Sequence, residues 1–430
     1  MTDVTPRSGI PPLLLVVLAL LASVAPFSTD LYLPAFPLMA ADLDTSATAI
    51  QLTLTSFLVG LAIGQLVFGP LSDRLGRRGP LLVGAVLFAA ASVAAVFAPS
   101  IEFLIAARFL QGLSGAAGMV LGRAVIADRE RGDAAARAFS LMMIVGGIAP
   151  IIAPLAGSLV VDVLGWRGIL AVLAALAVAM LLASWFVVEE SLPRERRGRG
   201  AAGGFRALGS LGYAGPAATF VLGFAAMMAY ISASPFLYQE VMGLDAVVYG
   251  VLFGVNALGL AAASALATRL LRTIPARGVL GMGVAGLIGA TGVLFVLSVS
   301  GAPAGWMAVP IFVAVSSLGF VMGPATALAL AAVPTAVGTG SAVLGAGQFG
   351  LGALVSPLVS LEVGNATLPL AIVMLVLALL AGAAHLAGRA ASPQAAEKAA
   401  GADAADSGAN RHVKVCVPDA TSMGAEPSGS

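Results

Sequence analysis

The ten residues Gly69-Pro70-Leu71-Ser72-Asp73-Arg74-Leu75-Gly76-Arg77-Arg78 form a charged turn between two apolar runs, Ala49 to Phe68 and Pro80 to Ala98. Each run approaches the ~20 residues that a helix needs to cross the hydrocarbon core of a bilayer. Two spans joined by so short a connection must return as an antiparallel hairpin. Short cytoplasmic loops are enriched in Lys and Arg, so the three arginines put this turn on the cytoplasmic side.

Composition extends that conclusion to the rest of the chain. Only 10% of its residues are charged, against about 25% in a soluble domain, and its mean hydropathy is +1.01. A net charge of +1 offers nothing to a nucleic acid. The single cysteine, Cys416, lies in a polar tail, which excludes a disulfide framework and a thiolate metal site. His385 and His412 close the last span and sit in the tail, so neither a zinc site nor any other cofactor is expected. The first apolar run is too long for a cleaved signal peptide and lacks a clear small-residue cleavage site, so it reads as a retained span.

The hydropathy pattern predicts an all-α integral membrane protein with twelve transmembrane helices at 13–39, 48–71, 80–98, 102–126, 138–163, 167–188, 213–238, 247–271, 278–299, 305–331, 339–363 and 367–388. An even number puts both termini on one side. With the termini inside, every basic residue except Arg108 and Arg167 falls at the cytoplasmic face, the bias that sets orientation. The Arg- and Gly-rich stretch 189–212 divides the spans into six and six. The expected organisation is a cytoplasmic segment 1–12, bundles 13–188 and 213–388 around that linker, and a disordered cytoplasmic tail 389–430, too polar to fold. Ala267 to Arg272 faintly repeats the first charged turn at the matching place in the second half.

Asp30 lies inside the first span, and a carboxyl group at that depth is by default a functional site able to exchange a proton. Pro34 and Pro37 loosen the helix beside it and free backbone groups. Arg108 is the one basic residue well inside a span. It lies ~9 Å in from Glu102, a depth comparable to the ~13 Å of Asp30 from Met39. An interaction, direct or through water, is therefore permitted, with Gln111 one turn along as a hydrogen-bond neighbour. In the fifth span, Gly147, Pro150, Pro154 and Gly157 combine close approach with kinks. The candidate substrate-cavity residues are Tyr32, Met142, Tyr230, Phe236, Asn256 and Gln348, with Gln51 and Gln65 among the other polar side chains within spans.

The charged turn resembles the loop between helices 2 and 3 of the major facilitator superfamily, roughly G-x-L-[SA]-D-R-x-G-R-[RK]. That resemblance implies two pseudo-symmetric six-helix bundles and a gate in which Gly69, Asp73, Arg74, Gly76, Arg77 and Arg78 latch the inward side, with Asp128 adjoining. Arg108-Phe109-Leu110-Gln111-Gly112 is similar to the family's R-x-x-Q-G element, associated with proton transfer. The fifth span resembles the antiporter motif, with Ala149 where the motif has Gly and with Pro154 added. Asp30-Leu31-Tyr32-Leu33-Pro34-Ala35-Phe36-Pro37 and Tyr230-Ile231-Ser232-Ala233-Ser234-Pro235-Phe236 resemble segments of the bicyclomycin/chloramphenicol-resistance (Bcr/CflA) exporters. The combined likeness implies a monomeric inner-membrane antiporter that exchanges protons for small amphiphilic drugs, with no enzymatic activity. A metabolite or amino-acid-derivative exporter or symporter is the alternative on the same fold.

Overall fold

A computed structural model describes residues 10–130, 132–194, 197, 208–333, 337–360 and 367–390. Most of the segment 1–12, Arg131, much of the linker and the tail beyond residue 390 lie outside the described residues. The described chain is helical and contains no strand.

The first crossing is not one helix. It is built from α1 (Pro12–Ala22), α2 (Val24–Asp30), a 3₁₀ turn at Leu33–Ala35 and α3 (Phe36–Asp42). Its two main parts meet at 44°. The prolines account for both breaks, because a proline ring clashes with the carbonyl four residues earlier. Pro26 disturbs the turn at Ala22, and Pro34 the turn at Asp30. The single helix expected at 13–39 is therefore interrupted twice.

The charged turn joins α4 (Ala47–Leu75) to α5 (Arg78–Val96). Ser46 caps the start of α4 by accepting from the Ala49 amide, and Gly76, at φ 97°, ends it in a conformation that few other residues tolerate. Then follow α6 (Ile101–Arg129) and α7 (Gly132–Val187). A straight α7 would measure ~84 Å, far beyond one bilayer crossing. Gly165 breaks it, at φ 65° and ψ −173°, within the gap expected between spans five and six.

The second half holds α8 (Leu211–Pro235), which runs into a π-helical turn at Phe236–Val241, then α9 (Ala246–Leu270) and α10 (Ala276–Val299). It continues through α11 (Ala308–Ser317), α12 (Gly319–Ala331), α13 (Val337–Val355) and α14 (Leu368–Ala390). Ten described helical segments are long and apolar enough to span, and the bent first crossing makes eleven. Dividing α7 at Gly165 brings the crossings to twelve.

Many large apolar side chains face outward, among them Val163, Phe186 and Trp306. Such a surface suits lipid and is prohibitive in water. Without a hydrophobic drive between helices, association depends on close packing. Gly60 and Gly64 of α4 sit on the carbonyls of Phe109 and Leu113, and Gly112 of α6 sits on the carbonyl of Phe57. Between halves, α4 packs on α13 and α7 on α9. Spans 2 and 5 of one half thus meet spans 11 and 8 of the other, the reciprocal pairing of a pseudo-two-fold axis.

Candidate functional site

The interrupted first crossing organises the site. Because α2 stops at Asp30, the carbonyl of Ser28 loses its helical partner. Arg108 Nη2 on α6 donates to it at 2.6 Å. Arg108 Nη1 donates to Gln111 Oε1 at 2.9 Å, and Gln111 Nε2 donates to Ser92 Oγ at 2.7 Å. The guanidinium also lies 4.2 Å from the Tyr32 ring centroid and 4.5 Å from that of Phe57. A fully buried cation is thereby stabilised by a helix C-terminal carbonyl and two aromatic faces.

Asp30 is also buried, and it accepts from Thr29 Oγ1 at 2.8 Å. The interaction between Asp30 and Arg108 that their depths permit is not a direct one: no ion pair joins them among the described residues. The carbonyl two residues before Asp30 has taken the guanidinium instead.

Two further carbonyls of the break meet other helices. Gly157 of α7 sits directly on the carbonyl of Leu31. Gln239, in the π-helical turn, donates to the carbonyl of Pro34 at 3.1 Å. In the opposite sense, Gln51 of α4 donates to the carbonyl of Ser232 on α8, also at 3.1 Å. Phe36 and Phe236 add a ring contact at 6.0 Å. Two reciprocal amide–carbonyl bonds thus tie the halves together around the break.

Beside this seam lies a buried aromatic cluster. Asn256 Nδ2 donates to Tyr230 Oη at 2.7 Å and reaches Tyr238 Oη at 3.5 Å. Tyr249 Oη shares a 3.2 Å hydrogen bond with Ser234, and the Tyr230 and Phe253 rings stack at 5.7 Å. Tyr32 bonds Thr53 at 3.1 Å and meets Phe36 edge-on.

Of the cavity residues named from the sequence, Tyr230 and Asn256 belong to the cluster, and Tyr32 and Phe236 reach the seam. Met142 is buried beside Gly122, and Gln348 is half-buried on α13 outside this network. Tyr238 and Tyr249 were missed. The chain has five tyrosines, and four of them converge here, so their scarcity was the available signal. Pro154 is buried and its carbonyl faces Gly250 of α9, while Pro150 is half-buried. The side-chain surroundings of Gly147 lie outside the described residues.

At the charged turn, Arg77 Nη1 donates to Asp73 at 2.6 Å and to Ser72 Oγ at 2.7 Å, and its Nε donates to Asp128 at 2.9 Å. Glu190 accepts from the backbone amides of Arg77 at 2.8 Å, Leu192 at 3.0 Å and Arg78 at 3.4 Å. Partial burial pushes its carboxyl upward, but these donors and Arg197 outweigh it and hold it below the usual carboxylate range. Arg78 Nη2 reaches the Trp185 carbonyl at 3.2 Å. Arg74 is exposed, and a Cβ at Gly69 would only just touch Val120, at 4.0 Å. At the far end of the bundle Arg167, one exception to the basic bias, pairs with Asp42 at 2.8 Å.

A twelve-crossing helical protein with charged and tyrosine-rich groups buried where its halves meet has the architecture of a membrane carrier. Residues 18–357 match the family model described as Major Facilitator Superfamily. The chain belongs to that superfamily of transporters. It is 36% identical over 370 residues to "Uncharacterized MFS-type transporter YdgK" of Bacillus subtilis (strain 168), covering 84% of this chain and 92% of the relative. It is 29% identical to "Bicyclomycin resistance protein homolog" of Haemophilus influenzae, over 80% of this chain and 87% of that protein. The crystal structure of a D-xylose-proton symporter shares the fold, with a TM-score of 0.69 at 16% identity over 86% of this chain and 96% of that one.

Proposed function

We propose that this transporter is a proton-coupled multidrug exporter of the inner membrane that works by alternating access. One observation carries the reading: Asp30 is buried at the end of an interrupted helix, beside the junction of the halves, with no basic partner among the described residues. A carboxyl group so placed can take up and release a proton, and its protonation competes with drug binding. Arg108 and Gln111 hold the break in shape. The tyrosine cluster with Phe236, Phe253 and Asn256 forms an aromatic surface with few fixed polar groups, which suits amphiphilic guests.

The relative named as a bicyclomycin resistance protein homolog supports drugs as the cargo. Inward proton flow through Asp30 would drive outward drug flow. The Arg77 end faces the cytoplasm with both termini, in keeping with the basic bias. The turn of Gly69, Asp73, Arg74, Gly76, Arg77 and Arg78 is the gate at that end, and Gly147, Pro150, Pro154 and Gly157 provide a compact, bendable fifth span. The division into bundles 13–188 and 213–388 and a monomeric state complete the proposal.

The test is export from everted vesicles under an imposed pH gradient. Asp30→Asn is expected to abolish proton-driven export of a neutral drug while leaving drug binding measurable. Full export by the variant would refute the coupling role.

A further inference from the structure

We propose that a cleft between α8, α10 and α14, at the Arg77 end of the bundle, binds the phosphate of an anionic phospholipid headgroup. It is narrow, open to the surface, and lined by Pro216, Arg277, Leu280, Leu328, His385, Gly388 and Arg389. Pockets for drug-sized ligands enclose ~300–1,000 Å³, whereas this is a narrow cleft at the surface, which suits a headgroup better than a transported drug. Among the described residues its lining has three nitrogen bases and no carboxylate.

Four features converge on an anion. Arg277 is the second residue of the 24-residue helix α10, so its guanidinium adds to the positive end of that helix dipole. The carbonyls of Gly388 and Arg389, at the end of α14, would repel an anion, but Arg277 Nη1 donates to them at 3.3 and 3.5 Å. His385 is 7% exposed, and its buried Nε2 has no hydrogen-bond partner. A Cβ at Gly281 would stand 3.2 Å from that nitrogen, so the glycine spares it a tight apolar contact. A buried polar atom without a partner is costly, and a phosphate oxygen would satisfy it.

The cleft forms because Gly215 and Gly388 bring α8 and α14 into backbone contact; a Cβ on Gly215 would meet the Gly388 Cα at 2.6 Å. Its position favours a lipid over a free ion. Leu386 and Met282, next to His385 and Gly281, are 63% and 50% exposed and give acyl chains an apolar flank. Basic pockets between transmembrane helices near the cytoplasmic surface are suited to acidic headgroups.

The experiment uses the full chain in phosphatidylcholine nanodiscs, titrated with phosphatidylglycerol, with bound lipid counted by native mass spectrometry. One phosphatidylglycerol is expected to be retained in preference to phosphatidylcholine. Arg277→Gln should weaken retention about fivefold, since a basic residue near an anionic membrane contributes on that scale. Adding His385→Gln should weaken it further, whereas Arg272→Gln, at the same end outside the cleft, should leave it unchanged. An unchanged melting temperature in pure phosphatidylcholine shows that the variants are folded. Equal retention of both lipids, or equal losses for Arg277→Gln and Arg272→Gln, would overturn the site. Displacement of the lipid by an equal concentration of inorganic phosphate would overturn its assignment to a lipid.

Discussion

Arg108 caps Ser28. Its guanidinium, fully buried in the fourth crossing, closes 2.6 Å from the carbonyl that the first crossing exposes by ending early. The helix break and the buried charge therefore satisfy one another, since each alone would leave an unpaired polar group in an apolar interior.

Arg108→Lys should not replace the native residue. A lysine keeps the charge but cannot lie flat between Tyr32 and Phe57 while also reaching Ser28 and Gln111. Loss of the stacking and one charged hydrogen bond is expected to cost about 2 kcal/mol. Thermal unfolding of the purified variant should reveal the drop, and proton-driven export should fall with it.

Gly157→Val should be more damaging than Gly254→Val. A Cβ at residue 157 collides with the Leu31 carbonyl, whereas at 254 it finds the Ile151 carbonyl at a comfortable 3.6 Å. Overpacking of this kind costs about 1–3 kcal/mol. Comparative melting of the two variants would measure the difference.

The amide pair Gln51–Ser232 and Gln239–Pro34 should bias the halves toward the state in which their break-side ends touch. Each buried hydrogen bond contributes about 1 kcal/mol, so losing both shifts the equilibrium by roughly tenfold or more. Spin labels at exposed Ala41 and Glu240, in a Cys416→Ser background, would report the change. Gln51→Leu with Gln239→Leu should add a longer distance to the measured distribution.

Glu190 gives the charged turn an acid dependence. Its folded-state carboxyl titrates below its ordinary value of 4.5, so its anchoring is present above that pH and is lost as the pH falls through the depressed value. Protection factors for the amides of Arg77 and Arg78 in hydrogen exchange should decline in that acid window. Glu190→Gln should lower protection at neutral pH and remove the acid dependence.

Much of the architecture could be read directly from the chain. Apolar runs of bilayer length locate the crossings, and Gly165 falls in the gap between spans five and six because a left-handed backbone suits glycine. The double break in the first crossing was less visible. Pro34 announced a disturbance near Asp30, but not that Pro26 would add a second, or which helices would use the freed carbonyls. Similar depth brought Asp30 and Arg108 together on paper, yet depth along an axis leaves the facing direction open. Tyr238 and Tyr249 were missed because they lie in a π-helical turn and on a different helix, where helical periodicity gives no sign that they meet.

The sequence by itself determined that this chain lives in a bilayer as helices, where its turns lie, and which charges are too deep to be incidental. Those conclusions follow from local quantities: the length of an apolar run, the missing N–H of a proline, the cost of burying a charge. Tertiary structure alone decided that Arg108 would answer a carbonyl and leave Asp30 without a base among the described residues, and that two glutamines would exchange bonds across the seam. Lipid offers no hydrogen bonds, so every polar group exposed by a break must find its partner on another helix. Which helix that is depends on how the whole bundle packs.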